Sequence, residues 1–260
     1  MLSRIPREPF SRKASLLWLA GLIVISCPVQ PRAEKTVSNV VFRENVPASH
    51  REELTSKLKT ITGWSDLRFE SDGSLQLGAK RAIGGSQGAR ELLAEATSSP
   101  TVIVLEDASD RSDVVFCRVV PGRWIHDASQ RPPAYVILID FADFRHLAGD
   151  EPARNAFDVG WAILHELDHV VNDSRDASAL GASGECEDHI NAMRRELNLP
   201  ERSDYFFTFF PPGRNSDFAT KLVRLAFDRH DVSHGKRRYW LIWDASAVGG
   251  LDEQKVASLK

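Results

Sequence analysis

The 260-residue chain predicts an α+β fold with a mixed sheet, and three observations carry that expectation. In "LRFESDGSLQLG" two alternating runs flank an Asp72-Gly73 turn signal, the mark of a hairpin. The run Val136 to Ile139 is apolar throughout, as a strand buried on both faces would be. Several other stretches place apolar residues at helical spacing. With 42% hydrophobic and 27% charged residues, the chain can bury a proper core as one globular domain or as one domain with an extension.

Taken in order, residues 1–27 read as an address. Arg4, Arg7, Arg12 and Lys13 form a positive front, and the apolar run Leu16 to Ile25 is too short to span a bilayer comfortably. That combination predicts a secretory signal. "VISC", Val24 to Cys27, resembles the lipobox of bacterial lipoproteins; lipidation of Cys27 and ordinary cleavage nearby both stay open. Either places the protein outside the cytoplasm, in the periplasm, the outer envelope or the medium. Contact with a membrane is expected only through the signal peptide or a lipid anchor.

Residues 28–47 read as a polar linker and residues 48–260 as one domain. "PASHREELTSKLKTITG" predicts an amphipathic helix, followed by the hairpin and by a helix in "GARELLAEA". "TVIVLED", "DVVFCRVV" and "YVILIDF" predict strands. The last of these is expected to line a cleft, where an extended peptide could add to it, or to be a plain core strand. "TKLVRLAFD" and "KRRYWLIWD" flank "RHDVSHG" as a closing hairpin. The net charge of −3 is mixed along the chain and gives no electrostatic reason to expect nucleic acid. Cys27, Cys117 and Cys186 are too few and scattered for a disulfide framework; the last two either pair or remain free thiols.

Between these strands lies a longer helical pattern. Asp150 can cap its start and Pro152 falls in the first turn. Phe157, Trp161, Leu164, Leu167 and Val171 form its apolar stripe. Beside that stripe stands "HELDH". His165 and His169 are four apart, so their rings project from one face and can take two corners of a tetrahedral zinc. Glu166 lies a step round the helix, able to reach a metal-bound water without ligating the metal. Charged residues on an ordinary solvated helix would have polar neighbours, whereas "WAILHELDHVV" is apolar on both sides.

A catalytic zinc usually has three protein ligands. The extension H-E-x-x-H-x-x-G-x-x-H is broken here by Asn172 and Arg175. The next helix, "SGECEDHINAMRRELNLP", offers carboxylates, with Ser183 as its cap and Ile190, Met193 and Leu197 as its buried line. Glu185 falls in the first turn, where free N–H groups keep a carboxylate ionised, and is expected as the third ligand. Glu187 is the competing choice, aligned with Asn191 and Arg194 as a surface ion pair. Asp188 and His189 are expected to support the site from behind.

A second-helix carboxylate after H-E-x-x-H resembles the gluzincins, the thermolysin-like class. "INAMRRELNLPERSDY" is also similar to the segment after the third ligand in effector-type zinc proteases and in peptidase domains of bacterial polymorphic toxins. The matching residues are Asn191, Arg194 or Arg195, Glu196-Leu197, Leu199-Pro200, Arg202 and Tyr205. "RSDY" is similar to the Arg-x-x-Tyr pair of clostridial neurotoxin light chains. The chain has Ile190 and Asn198 where those families often have Glu and Gly.

The resemblance, over about residues 155–210, implies a zincin-like fold. In it a mixed sheet packs on an active-site helix carrying H-E-x-x-H and on a second, ligand-bearing helix. It implies an exported zinc metallopeptidase acting on a peptide or protein substrate. Zinc would be held by His165, His169 and Glu185, and a zinc-activated water would attack with Glu166 as general base. Tyr205, with Arg202, would hydrogen-bond the oxyanion, against the readings of a core tyrosine opening "YFFTFF" and a helix-end charge. Two other functions stay open: a zinc-dependent hydrolase of cell-wall amide bonds, and a non-catalytic zinc-binding module of the envelope.

Overall fold

The structure, a computed structural model, describes residues 38–109, 111–125, 131–209, 221–231 and 235–248. The expected signal segment and Cys27 lie outside the described residues. The fold is α+β with mixed sheets. In chain order it begins β1 (Val40–Phe42), α1 (Ala48–Thr62), β2 (Arg68–Phe69), β3 (Leu75–Gln76) and α2 (Gln87–Ser98). β4 (Val102–Asp107), β5 (Cys117–Pro121), β6 (Ala134–Ile139) and β7 (Ala148–Gly149) follow. Then come α3 (Glu151–Asn155), α4 (Val159–Asn172), α5 (Glu185–Glu196), β8 (Glu201–Arg202), β9 (Thr208–Phe209), β10 (Leu222–Asp231) and β11 (Gly235–Asp244).

The first sheet has the order β1-β4-β6-β5, with β1, β4 and β6 parallel and β5 antiparallel to β6. Ile137 and Ile139 point into the core shared with α4, while Leu138 packs with Val114 and Ala108 on the other face. That two-sided burial is why the run is apolar at every position. β10 and β11 form the expected closing hairpin and carry β8, β9 and β7 on their edges. β2 and β3 pair around Asp72-Gly73, where Gly73 takes the positive φ of 82° that a tight turn asks for.

β6 is an interior strand, so of the two readings of this run the plain core strand holds and the one in which it lines a cleft and receives a peptide is corrected. β4 and β5 occupy both of its edges. β5 is an edge strand, and among the described residues no strand pairs with its outer side. Gly122 N–H donates to Ala134 O, which places the even-numbered residues of β5 against β6 and turns Cys117, Val119 and Pro121 outward.

The helix expected from Asp150 onward is two helices. Asp150 does not cap α3 with its side chain; that carboxylate accepts the Trp240 N–H at 2.8 Å. The break falls at Asp158, whose extended backbone (φ −140°) restarts the helix and whose Oδ1 accepts from Gly160 N–H at 2.9 Å and Trp161 N–H at 3.3 Å. Asp158→Ala should therefore destabilise the protein by about 1 kcal/mol. An unchanged urea-unfolding midpoint would show that this cap contributes nothing.

α4 buries Trp161, Leu164 and Leu167 in the core beneath the first sheet. Phe157, just before it, joins a second core with Phe116, Phe227, Leu241 and Trp243. α4 thus runs between two apolar masses and presents its histidines along the seam. α5 starts at Gly184 without a side-chain cap, and Ser183, expected in that role, donates its hydroxyl to Asp188 instead. Asn198, at φ 54°, ends the α5 segment as expected. The strand expected to open at Tyr205 is only Thr208–Phe209; Tyr205 lies in a bend, its N–H donating to Ala182 O at 3.0 Å.

Candidate metal centre

α4 ends at Asp173, in the left-handed conformation that aspartate tolerates, and the chain turns back beneath the helix's last turn. The turn brings Ser174 O to His169 Nδ1 at 2.8 Å and the Ser174 hydroxyl to Asp168 Oδ2 at 2.6 Å. Asp168, fully buried, also accepts from Asn172 Nδ2 at 2.6 Å and meets His189 Nδ1 at 2.9 Å. Burial opposes its charge, but these partners hold its carboxyl below the ordinary range. His189 therefore supports the turn rather than the histidine pair.

With His169 Nδ1 donating to a carbonyl, Nε2 is the nitrogen that would give up its proton and offer a lone pair to a metal. His169 Nε2 lies 3.4 Å from Asp176 Oδ1, and His165 Nε2 lies 3.0 Å from the same oxygen. The remaining oxygen, Asp176 Oδ2, accepts the Tyr205 hydroxyl at 2.7 Å. His165 Nδ1 lies 3.3 Å from Glu187 Oε2, near enough for charge attraction but without hydrogen-bond alignment. Cys186 donates its thiol to His165 O at 3.3 Å, and ligand atoms of His165, His169 and Cys186 lie within 4.8 Å of one another.

These groups fit a zinc ion. Zn–N and Zn–O bonds of about 2.0–2.1 Å give tetrahedral edges of about 3.3 Å, the scale of the Asp176–histidine separations. Burial works against charge at His169, yet Asp176, Cys186 and the Ser174 carbonyl outweigh it and hold the imidazole up to about 11. Metal uptake must therefore displace protons.

The five expected site residues besides Glu166 are placed as follows. His165 and His169 stand side by side, ring centroids 4.8 Å apart. Tyr205 stacks near His165, its hydroxyl on Asp176. Arg202 is spent on Glu187 Oε2 (3.0 Å), on Asp204 O and on Tyr205 O. Glu185 is exposed, and the carboxylates that reach the histidines are Asp176 and Glu187. Asp188, also exposed, engages Ser183.

No family model, curated protein or solved structure matches the chain.

Glu187 is the largest departure from sequence reasoning. It is only 1% exposed and forms a buried ion cluster with Arg194 and Arg202 rather than a surface pair. Burial alone would raise its carboxyl, but the two guanidiniums hold it well below the ordinary range. Arg194 is fixed in turn by Ala156 O at 2.8 Å and lies over the Trp161 ring. Asn191 clamps the backbone of Arg202 from both sides, donating to its O at 2.9 Å and accepting its N–H at 2.8 Å.

Glu166 reaches toward β5, where Oε2 accepts the Val119 N–H at 2.9 Å. Loss of hydration beneath the strand raises its carboxyl, against the pull of His165, His169 and Val119. In front of Glu166 and His165 opens a cavity of about 260 Å³ walled by Phe116, Phe157, Trp161, Phe207 and Trp243. Cys117 and Tyr205 also reach it, and Cys117 and Cys186 are both free thiols.

Proposed function

We propose that the chain is a zincin-like, zinc-dependent metallopeptidase that works outside the cytoplasm and cleaves a peptide or protein substrate. The observation that carries this reading is one juxtaposition. Two histidines aim Nε2 at a common point, and the adjoining glutamate, not spent on either, faces the mouth of an apolar cavity.

Bound zinc would supply the polarisation of the scissile carbonyl and of water. Glu166 takes the water proton and hands it to the leaving amine; its raised proton affinity suits both halves of that task. The aromatic cavity receives an apolar side chain and excludes bulk water. Outward carbonyls of β5 can accept N–H groups from an extended substrate. Export rests on the basic front and short apolar run near the N-terminus; among the described residues no helix is long and apolar enough to cross a membrane.

A peptide library tests the reading directly. Purified protein should cleave it, a chelator should abolish cleavage, and added zinc should restore it. Cleavage of murein with no cleavage of any peptide would replace the reading with that of a cell-wall amide hydrolase. Tight zinc binding with neither activity would make the chain a zinc-binding module.

A further inference from the structure

Resting on the zinc reading above, we propose that Asp176 is the third protein ligand and completes a His165–His169–Asp176 centre. The other donors can be weighed against it one at a time. Glu185 is exposed and meets neither imidazole. Glu187 meets one imidazole only, at Nδ1, the nitrogen on the far side of the ring from the shared point. Its Oε1 is held by Arg194 and its Oε2 by Arg202, so its charge is already balanced. Glu187 therefore faces His165 from behind as a balanced charge, not as a ligand.

Cys186 is the stronger competitor, because its sulfur belongs to the same cluster as the histidine nitrogens. Its thiol also reaches both imidazoles, but its hydrogen goes to the His165 carbonyl at 3.3 Å, so a metal would have to take the sulfur from that bond. Asp176 alone among these donors places one oxygen within 3.4 Å of Nε2 of both histidines.

The chain takes trouble to hold Asp176 there. Its backbone bridges to Gly184, directly before α5. Gly184 sits at φ 85°, and a Cβ there would meet Ala177 N at 2.3 Å, so only glycine lets the two segments approach. The Tyr205 hydroxyl fixes the second carboxylate oxygen, leaving Oδ1 turned to the histidines. A carboxylate oxygen with two imidazole nitrogens is a hard, borderline donor set suited to zinc and to cobalt(II) as its spectroscopic substitute.

The test is metal binding, read without any substrate. Zinc affinity of the purified protein is measured by competition with a chelating dye for wild type, Asp176→Ala, Asp176→Asn, Glu185→Ala and Cys186→Ser. Circular dichroism checks that each variant folds. Removing a supporting residue costs 10–100-fold in affinity, so losing a ligand in Asp176→Ala should cost more than about 100-fold. Asp176→Asn keeps the Tyr205 contact and should also bind far more weakly, while Glu185→Ala and Cys186→Ser stay at the wild-type value. The cobalt(II) protein should lack a thiolate charge-transfer band. Wild-type affinity in either folded Asp176 variant would overturn the assignment. So would a thiolate band that Cys186→Ser abolishes. If zinc binds through Asp176 but no peptide is cleaved, the peptidase reading fails and the ligand assignment stands.

Discussion

Glu166→Gln is expected to fold and to bind zinc as the wild type does, while losing about 10²–10⁴-fold in peptide hydrolysis. The glutamine has the same length, and its amide oxygen can still accept the Val119 N–H, so the contact between α4 and β5 survives. What disappears is the group that, in the proposed mechanism, takes a proton from water and returns it to the leaving amine. Glu166 touches neither Asp176 nor the facing nitrogens of the histidines in the way a ligand would, so metal content should be unmoved. Comparable turnover in a zinc-loaded Glu166→Gln protein would remove Glu166 from the mechanism.

The second large effect concerns the buried ion cluster. Glu187→Ala should destabilise the fold by about 3–5 kcal/mol, because two guanidiniums remain where one carboxylate balanced them. Arg194 is 2% exposed and anchored to Ala156 O and cannot turn to solvent. Urea unfolding of the two proteins checks this; coincident midpoints would show that the cluster adds nothing to stability. The sign with pH follows from the depressed Glu187 carboxyl. Its contribution is fully present above the ordinary carboxylate range and fades as pH falls toward the depressed value, so the wild type should lose its advantage over Glu187→Ala in strong acid.

Much of the helical face was legible in the sequence, because apolar spacing reports burial directly. Trp161, Leu164 and Leu167 lie in the core that their period requires, and His165 and His169 project together from beside them. The hairpins at Asp72-Gly73 and between β10 and β11 follow from turn chemistry and alternation. The break at Asp158 was missed because Asp150 and Pro152 gave an equally good local start; tertiary contact with Trp240 decides between them.

Asp176 was hidden for a different reason. It lies seven residues after His169 (176 − 169), on a turn with no helical period to project it toward the histidines. The one available signal was Asn172-Asp173-Ser174, a helix-ending cluster that folds the chain back on itself. Glu187 read as a surface residue because its neighbours on that face, Asn191 and Arg194, are polar; burial of a whole polar face cannot be read from hydrophobicity.

The outward row of β5 has a consequence for solubility. A bare strand edge is a template on which another chain can build, and pairing with it needs donors as well as acceptors. Here Cys117 N–H is turned back on Val115 O, Val119 N–H is taken by Glu166, and Pro121 has none. The edge can accept hydrogen bonds but has none to give, so two copies of β5 cannot zip together through it. Glu166, proposed above as the general base, is in this structure also a guard against self-association.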